Sequence, residues 1–223
     1  MKILVKLPSR GRPKKMIKAL TRAIAKAEDN SKIHYLLTLD QDDPTTQGEV
    51  FDTIIKGFPA SIQVERARSS SKIHACNRDM SKAPKEWDIL LLLSDDMICQ
   101  TKGWDTILRK EMQANYSDLD GVLWFNDGYI GEKLNTLCIL GRKYFERFNY
   151  IYHPSYKSLW CDNEFMEVAN KLNKQTYFEQ ILFKHEHPAW NGDIENDPLY
   201  RRNEAFYRED QKNYNRRKSR QFA

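Results

Sequence analysis

The sequence predicts an α/β fold in which a mainly parallel central sheet is flanked by helices. In the first half of the chain, short apolar segments alternate four times with segments whose apolar residues recur at helical spacing. Apolar strands separated by amphipathic helices are typical of parallel sheets covered on both faces, with right-handed crossovers. In such sheets, ligands bind beyond the carboxyl ends of the strands.

The first half supplies most of this sheet. Strands are predicted over residues 2–7, 33–39, 61–65 and 89–93, and helices over residues 47–56 and 73–83. A further helix begins at Pro13, where the missing N–H of proline would be unpaired in any case. In that helix Ile17, Leu20 and Ile24 recur at helical spacing, and basic residues occupy the other face.

The second half is less regular. Helices are predicted near residues 104–115, from Arg142 and over residues 162–172, and strands near residues 120–125, 134–140 and 176–187. The Asp197–Pro198 junction is the predicted boundary. Residues 1–197 then form one domain, and residues 198–223 form a helical basic tail.

The composition of the chain is typical of a globular protein. At 223 residues and 40% hydrophobic content, the chain can bury the core of a globular domain. No apolar stretch approaches the roughly 20 residues of a membrane span, and the N-terminus lacks a signal-peptide pattern. The four cysteines match neither a zinc site nor a disulfide scaffold. We expect a cytoplasmic protein with reduced thiols and no membrane insertion.

The predicted basic tail carries the net positive charge of the protein. Residues 199–223 contain eight basic and three acidic residues, so they account for the formal net charge of +5. Basic residues interleaved with Tyr200, Phe206, Tyr207 and Tyr214 could follow a nucleic-acid backbone. A solvated helix that packs on the body through those aromatic residues is the alternative.

Two adjacent carboxylates, Asp95 and Asp96, follow the most apolar predicted strand. Like charges at the end of a buried strand resist desolvation unless something compensates them. A divalent cation could do so, since it binds one or two carboxylates and completes its shell with diphosphate oxygens. A solvated turn is the alternative.

Another acidic segment, "DQDDPTT", begins at Asp40. A calcium loop would need glycine and glutamate where Thr45 and Phe51 stand, so calcium is excluded. A phosphatase-like pair, Asp40 with Asp42, would normally lie on the first strand. Nucleotide recognition by Asp40 and an ordinary Asp-Pro turn remain open.

A cluster of cations surrounds the next predicted helix start. Arg66, Lys72 and Arg78 occur there with several hydroxyl groups and Asn77. Cations and helix N-terminal N–H groups together suit a diphosphate. A basic surface loop is the alternative.

Two late segments carry further candidates. His185 and His187 are two residues apart, so their side chains share a face if the strand persists, and with Asp96 they could form a mixed oxygen and nitrogen metal site. Asp162 stands beside Trp160 at a helix start, where it could cap the helix or, partly desolvated, act as a general base.

The order of these motifs resembles that of family 2-type glycosyltransferases of the GT-A fold. The resemblance runs from Lys2 to Trp190 and rests on the segments "LPSRGRP", "TLDQDDP", "SKIHACNRDM", "LLLSDDM", "WCDNEF" and "HEHP". The Asp-x-Asp motif of that family aligns with Ser94-Asp95-Asp96, so serine replaces its first aspartate. No dinucleotide or P-loop motif competes with this interpretation.

The resemblance implies a role for each matched residue. Asp162 would be the catalytic base of an inverting reaction, and Asp96 would hold Mn²⁺ or Mg²⁺ together with His187 or His185. The remaining implied contacts to the nucleotide-sugar donor are Pro8, Ser9, Arg10, Asp40, Arg66, Lys72, Asn77 and Asp95. Those to the sugar or the acceptor are Trp104, Asp127, Gly128 and Glu164.

The implied activity is transfer of a sugar from a nucleotide-diphospho-sugar, such as a UDP-sugar, to an acceptor hydroxyl. A glycan or a nucleic acid could be the acceptor, and a modified base in DNA is favoured by the basic tail. Two alternatives remain. One is a nucleotidyltransferase that makes nucleotide sugars, for which the segment "PSRGRPKK" offers only one glycine. The other is a non-enzymatic nucleic-acid-binding protein.

Overall fold

The structure is a computed structural model that describes residues 1–188 and 197–222. Trp190, where the resemblance ends, and Ala223, the last residue of the predicted tail, lie outside the described residues. No helix in the described part of the chain combines the length and apolar character needed to cross a membrane.

The described residues form a seven-stranded central sheet of mixed direction. Four strands at one side are parallel, in the order β3-β2-β1-β4; they are β1 (Ile3–Ser9), β2 (Ile33–Asp40), β3 (Ser61–Ala67) and β4 (Ile89–Leu92). The sheet continues with β7 (Ile139–Gly141), which is antiparallel to β4, and then with β6 (Val122–Phe125) and β8 (Gln175–Phe178). This confirms the predicted α/β class with its mainly parallel sheet.

Helices cover both faces of the sheet. Alternation along β1 sends Ile3, Val5 and Leu7 to one face and Leu4 to the other. The first face is covered by α1 (Pro13–Lys26), α2 (Glu49–Lys56) and α4 (Trp104–Asn115). The second is covered by α3 (Lys72–Asn77), α5 (Arg142–Phe148), α6 (Cys161–Lys171) and, after a short helix α7 (Pro198–Glu204), by α8 (Tyr207–Ser219).

The predicted helix over residues 73–83 is wrong in extent. Helix α3 ends at Asn77, and a separate 3₁₀ turn covers Met80–Lys82. Between them Asp79 has a left-handed backbone with φ 69°. Its carboxylate accepts hydrogen bonds from Arg78 at 2.6 Å and from the Thr38 hydroxyl at 3.2 Å. Both bonds stabilise the break in the helix, and the bond from Thr38 ties it to β2.

The single strand predicted over residues 176–187 is also wrong. The segment contains β8 and a second strand, β9 (Phe183–His185), and the two belong to different sheets. β9 pairs antiparallel with β5 (Met97–Cys99), a strand that the sequence did not predict. The resulting two-stranded ribbon continues directly from Asp95 and Asp96.

The tail packs on the body through the two helices α7 and α8. Asp210 of α8 is buried and accepts hydrogen bonds from three successive backbone N–H groups, those of Lys157, Ser158 and Leu159, at 2.8–2.9 Å. The guanidinium of Arg217 pairs with Glu164 of α6 at 2.7 Å. The C-terminal helices are therefore part of the packed structure, and they fix the loop that leads into α6.

Candidate functional site

The ribbon of β5 and β9 brings two predicted metal ligands together. Met97 pairs with His185, and the N–H of Glu186 donates to the carbonyl of Asp96 at 2.8 Å. As a result, Nε2 of His185 lies 3.7 Å from Oδ1 of Asp96. Both side chains lie at the carboxyl end of β4, the edge at which the fold class predicts a ligand site.

The two adjacent carboxylates have different partners. Asp95 accepts hydrogen bonds from the Ser9 hydroxyl at 2.7 Å and from Nη1 of Arg12 at 3.1 Å. Burial and the charge of Asp96 nevertheless raise the pKa of Asp95 to about 6. Asp96 accepts from the Tyr200 hydroxyl through Oδ2 at 2.9 Å, while its buried Oδ1 has no hydrogen-bond partner.

His185 lies between two carboxylates. Its Nδ1 is 3.6 Å from Oδ2 of Asp127, which is itself held by the Thr136 hydroxyl and two backbone N–H groups. Burial alone would lower the pKa of His185, but Asp127 and Asp96 raise it to about 9. A carboxylate behind a histidine is the arrangement that orients an imidazole toward a metal ion. The position of Asp127 therefore fits orientation of His185 better than contact with the acceptor.

The residues fit a hard divalent cation in part. Among the described residues, no group of three or more His, Cys, Asp or Glu side chains is placed to hold a metal ion. Asp96 offers one buried oxygen that accepts no hydrogen bond, and His185 offers one imidazole nitrogen once its ring has lost its proton; this donor pair suits Mn²⁺ or Mg²⁺. Water and diphosphate oxygens would have to complete the shell.

His187 lies next to this pair but outside the ribbon, because β9 ends at His185. Its ring is 5.2 Å from the ring of His185 and packs edge-on against Tyr200 at 4.6 Å. Burial and the charge of His185 lower the pKa of His187 to about 4. Of the two predicted histidine ligands, the geometry favours His185.

Lys72 and Asp162 face the same region from α3 and α6. The Lys72 residue is exposed, and its pKa is raised because nearby acidic groups, Cys161 and Cys76 ahead of Asp96 and Asp162, outweigh desolvation. Burial raises the pKa of Asp162, and the charge of Lys72 opposes that shift. The Asn163 N–H donates to Asp162 at 3.0 Å. A cation and a basic carboxylate thus lie close to the Asp96–His185 pair.

The ends of β1 and β2 form the neighbouring part of the edge. Arg10 donates to Oδ2 of Asp40 at 2.8 Å and also pairs with Asp42, while the buried Oδ1 of Asp40 has no hydrogen-bond partner. Pro8 and Ser9 occupy the last two positions of β1, opposite Thr38 and Leu39 of β2. These residues line the edge as predicted.

The side chains of two predicted donor contacts bond within the protein. Arg66 pairs with Leu39, whose side chain belongs to the opposite face of the sheet from Asp40, and it donates to Asp52 of α2 at 2.6 Å. Asn77 uses both ends of its amide on the backbone of Ile151 and Tyr152. Both side chains are engaged in structural contacts, so we do not retain them as donor ligands.

Two predicted acceptor contacts are also structural. Trp104 is fully buried, and its indole N–H donates to the carbonyl of Ala23 at 2.9 Å. Glu164 is neutralised by Arg217 and accepts from the Tyr156 hydroxyl at 2.7 Å. Neither side chain is exposed to an acceptor. Gly128 forms a turn with φ +85° beside Lys184.

Sequence reasoning missed two residues of the site. Arg12 reaches Asp95 with one nitrogen and Asp197 with the other, at 3.1 and 2.7 Å, and its guanidinium lies 3.7 Å from the centre of the Tyr200 ring. Tyr200 reaches Asp96 from α7. The motif "SRGRP" contains Arg12, but nothing in the sequence links Tyr200 to a carboxylate so far away in the chain.

No protein-family model matches the sequence, and no curated protein matches it either. Solved structures do match. The mannosyltransferase PcManGT from Pyrobaculum calidifontis, in complex with GDP-Man and Mn²⁺, has a TM-score of 0.66 at 10% identity over 85% of this chain. TarS 1–349 from S. aureus has a TM-score of 0.65 at 11% identity over 87% of this chain, and TarS has also been solved with UDP and with UDP-GlcNAc.

A third match is 4-diphosphocytidyl-2C-methyl-D-erythritol synthase from Anaerococcus prevotii, with a TM-score of 0.58 at 11% identity over 86% of this chain. The aligned region is 92% of that enzyme, but only 58% of PcManGT and 63% of TarS 1–349. At these identities the likeness concerns the fold. We conclude that the chain has the GT-A fold that its sequence motifs predicted.

Proposed function

We propose that the protein is a metal-dependent glycosyltransferase that uses a nucleotide-diphospho-sugar donor. The observation that carries this proposal is the approach of Asp96 Oδ1, which is buried and accepts no hydrogen bond, to within 3.7 Å of Nε2 of His185. A buried carboxylate oxygen that accepts no hydrogen bond gains from a ligand that satisfies it. Lys72, which interacts electrostatically with Asp96 and Asp162, and Asp162 itself would supply the other two groups that the reaction needs.

The proposed donor lies along the carboxyl edge of the parallel strands. Lys72 would contact the diphosphate, and Asp40 with Arg10 would contact the base. Asp95 would lie near the ribose or the sugar. A UDP-sugar is favoured because TarS, which shares the fold, has been solved with UDP and UDP-GlcNAc. When bound, Mn²⁺ or Mg²⁺ would neutralise the charge of the departing nucleoside diphosphate.

Asp162 is the proposed general base. A raised pKa makes its carboxylate a better acceptor of the proton on the attacking hydroxyl. The hydroxyl oxygen would form a bond to the anomeric carbon as the bond to the diphosphate oxygen breaks, from the opposite face of the sugar, so the configuration would invert. Lys72 would stabilise the negative charge that develops on the diphosphate.

A nucleic acid is the proposed acceptor, and a modified base in DNA is the favoured substrate. Support comes from α8 and the residue that follows it, where Arg208, Lys212, Arg216 and Arg220 recur every four residues and are exposed; we call these four residues the α8 stripe. Such spacing aligns cations along one side of a helix. A stripe of cations can contact a phosphate backbone without regard to sequence.

A nucleotidyltransferase is the second candidate. It is favoured by the match to the A. prevotii synthase, because that alignment covers 92% of the enzyme. The two activities leave different products, since a glycosyltransferase releases a nucleoside diphosphate and a nucleotidyltransferase releases pyrophosphate.

A panel of nucleotide sugars tests the proposal. The full chain is incubated with each donor and Mn²⁺, first with water and then with DNA as acceptor, and the nucleoside diphosphate is quantified. We expect one donor to be hydrolysed, and hydrolysis to fall sharply in Asp162→Asn. Pyrophosphate release from a nucleoside triphosphate and a sugar phosphate, without activity on any nucleotide sugar, would contradict the proposal in favour of the second candidate.

A further inference from the structure

The two oxygens of Asp96 are used differently. Oδ2 accepts the hydrogen bond of the Tyr200 hydroxyl at 2.9 Å, whereas Oδ1 faces Nε2 of His185 at 3.7 Å and accepts no hydrogen bond. The carboxylate of Asp96 is buried, so water does not fix its orientation from outside. Its orientation depends on His185 at Oδ1 and on the groups that contact Oδ2.

We propose that Tyr200 is a positioning residue for the cation site: its hydroxyl holds one oxygen of Asp96, so that the other faces His185. This inference rests on the proposed function, because it assigns Tyr200 a role toward the cation that Asp96 and His185 would bind. It also makes the C-terminal segment a part of that site.

Tyr200 itself is held firmly. Its ring stacks under the Arg12 guanidinium, 3.7 Å from the ring centre, and contacts the ring of His187 on another side. Arg12 is anchored in turn by Asp197, which accepts from Nη2 at 2.7 Å. Asp197 also caps α7 by accepting the N–H groups of Leu199 and Tyr200. The hydroxyl is therefore presented from a fixed ring on a capped helix.

Arg12 is also a competitor for the same carboxylate. Its Nη1 lies 3.9 Å from Oδ2 of Asp96, although its hydrogen bond goes to Asp95. A carboxylate that loses the Tyr200 hydroxyl can strengthen its pairing with Arg12 by turning toward it. That rotation would take Oδ1 away from His185, and the two cation ligands would no longer face each other.

The substitution Tyr200→Phe isolates this effect in the full chain. It removes the hydroxyl and keeps the ring that stacks on Arg12. We expect Mn²⁺ affinity, measured by titration calorimetry without donor, to fall about 10-fold or more, the range found when groups that orient metal ligands are removed. Tyr207→Phe is the matched control, because Tyr207 is an exposed tyrosine of the same segment. It should leave Mn²⁺ affinity unchanged.

The substitution Asp197→Asn tests whether Mn²⁺ affinity depends on the Tyr200 hydroxyl itself or on the packing around Tyr200. It weakens the cap of α7 and the pairing with Arg12 but leaves the hydroxyl of Tyr200 in the chain, so we expect a smaller loss of Mn²⁺ affinity than in Tyr200→Phe. Thermal unfolding reports any loss of fold in each variant. Equal losses in Tyr200→Phe and Asp197→Asn would overturn the inference, as would wild-type affinity in Tyr200→Phe.

The same measurements show whether the positioning role of Tyr200 fails alone or together with the proposed metal-dependent function. If the wild-type chain binds Mn²⁺ and hydrolyses a donor while Tyr200→Phe binds Mn²⁺ equally well, only the positioning role fails. If the wild-type chain binds no Mn²⁺ in the presence or absence of UDP, the positioning role and the metal-dependent function fail together.

Discussion

His185 Nε2 lies 3.7 Å from Asp96 Oδ1; His185 is the last residue of β9, and Asp96 immediately precedes β5, the partner of β9 in a short antiparallel ribbon. The ribbon pairs three residues of β5 with three of β9, and the hydrogen bond from the Glu186 N–H to the Asp96 carbonyl extends it, so main-chain hydrogen bonds set the distance between the side chains. A site built on paired strands holds its ligands more accurately than one built on loops.

The first prediction concerns the metal. Asp96→Ala should reduce Mn²⁺ affinity by at least about 100-fold, because even groups that only orient a ligand are worth 10–100-fold. Titration calorimetry measures the change. Asp118→Asn is the matched control, since Asp118 pairs with Lys143 at the exposed surface. Unchanged Mn²⁺ binding in Asp96→Ala would show that Asp96 is not a ligand of the cation and would contradict the proposed site.

The second prediction concerns pH. A general base must be deprotonated to act, so kcat/KM should rise with pH through the pKa of Asp162 and then level off. Because burial raises that pKa, the rise should occur above the value of 3.8 for an ordinary aspartate. Initial rates across pH at fixed donor measure the profile.

Asp162→Asn provides the test of this assignment. It should lower kcat by about 10²–10⁴-fold and abolish the acidic limb of the profile. Asn163→Ala is the neighbouring control, because its backbone N–H, which donates to Asp162, is retained. An acidic limb that persists unchanged in Asp162→Asn would show that another group is the base.

The third prediction concerns stability. Asp210→Asn should lower the free energy of unfolding by about 2–3 kcal/mol, because a buried carboxylate that accepts three backbone N–H groups is replaced by an amide with one acceptor oxygen. Chemical denaturation measures the change. Glu209→Gln, the same kind of substitution at the exposed neighbour, should change it by less than about 0.5 kcal/mol. Similar values for both variants would contradict the role of Asp210.

The fourth prediction concerns the acceptor. Replacing the α8 stripe, Arg208, Lys212, Arg216 and Arg220, with glutamine should weaken DNA binding and flatten its salt dependence. The slope of log K against log salt should become shallower by about 0.9 for each DNA phosphate that the protein no longer neutralises. The binding is measured by fluorescence anisotropy at several salt concentrations.

The control for this variant removes the same charge elsewhere. Lys56, Lys102, Lys110 and Lys133 are exposed on the body and are changed to glutamine together. If both quadruple variants lose the same affinity, DNA is attracted by net charge and not by the stripe.

The pattern of apolar residues along the sequence was sufficient to predict most of the strands of the sheet. The strand β4 is a continuous apolar run, β1 and β2 are predominantly apolar, and Pro13 opens α1 as predicted. Asp96 and His185 were both named from sequence as candidate metal ligands, Asp96 after a strand and His185 at the end of one. The ribbon that brings them together could not be predicted, because β5 has only three residues and depends on a partner far along the chain.

The errors share a physical cause. Trp104 and Glu164 were interpreted as contacts to the sugar or the acceptor, but each finds its partner in a distant element, the carbonyl of Ala23 and the guanidinium of Arg217. Arg12 and Tyr200 were missed for the same reason. A polar side chain in a motif indicates a need for a partner, and the sequence does not say whether the partner is a ligand or the protein itself.

During synthesis, the ribbon of β5 and β9 can form only after both strands have left the ribosome. Asp96 leaves the ribosome well before His185, and Tyr200 follows later still. Domains form from the N-terminal side as the chain grows. The parallel strands β1 to β4 can therefore associate while Asp95 and Asp96 still lack their late partners, and nascent chains that end before Tyr200 would expose this pair of carboxylates.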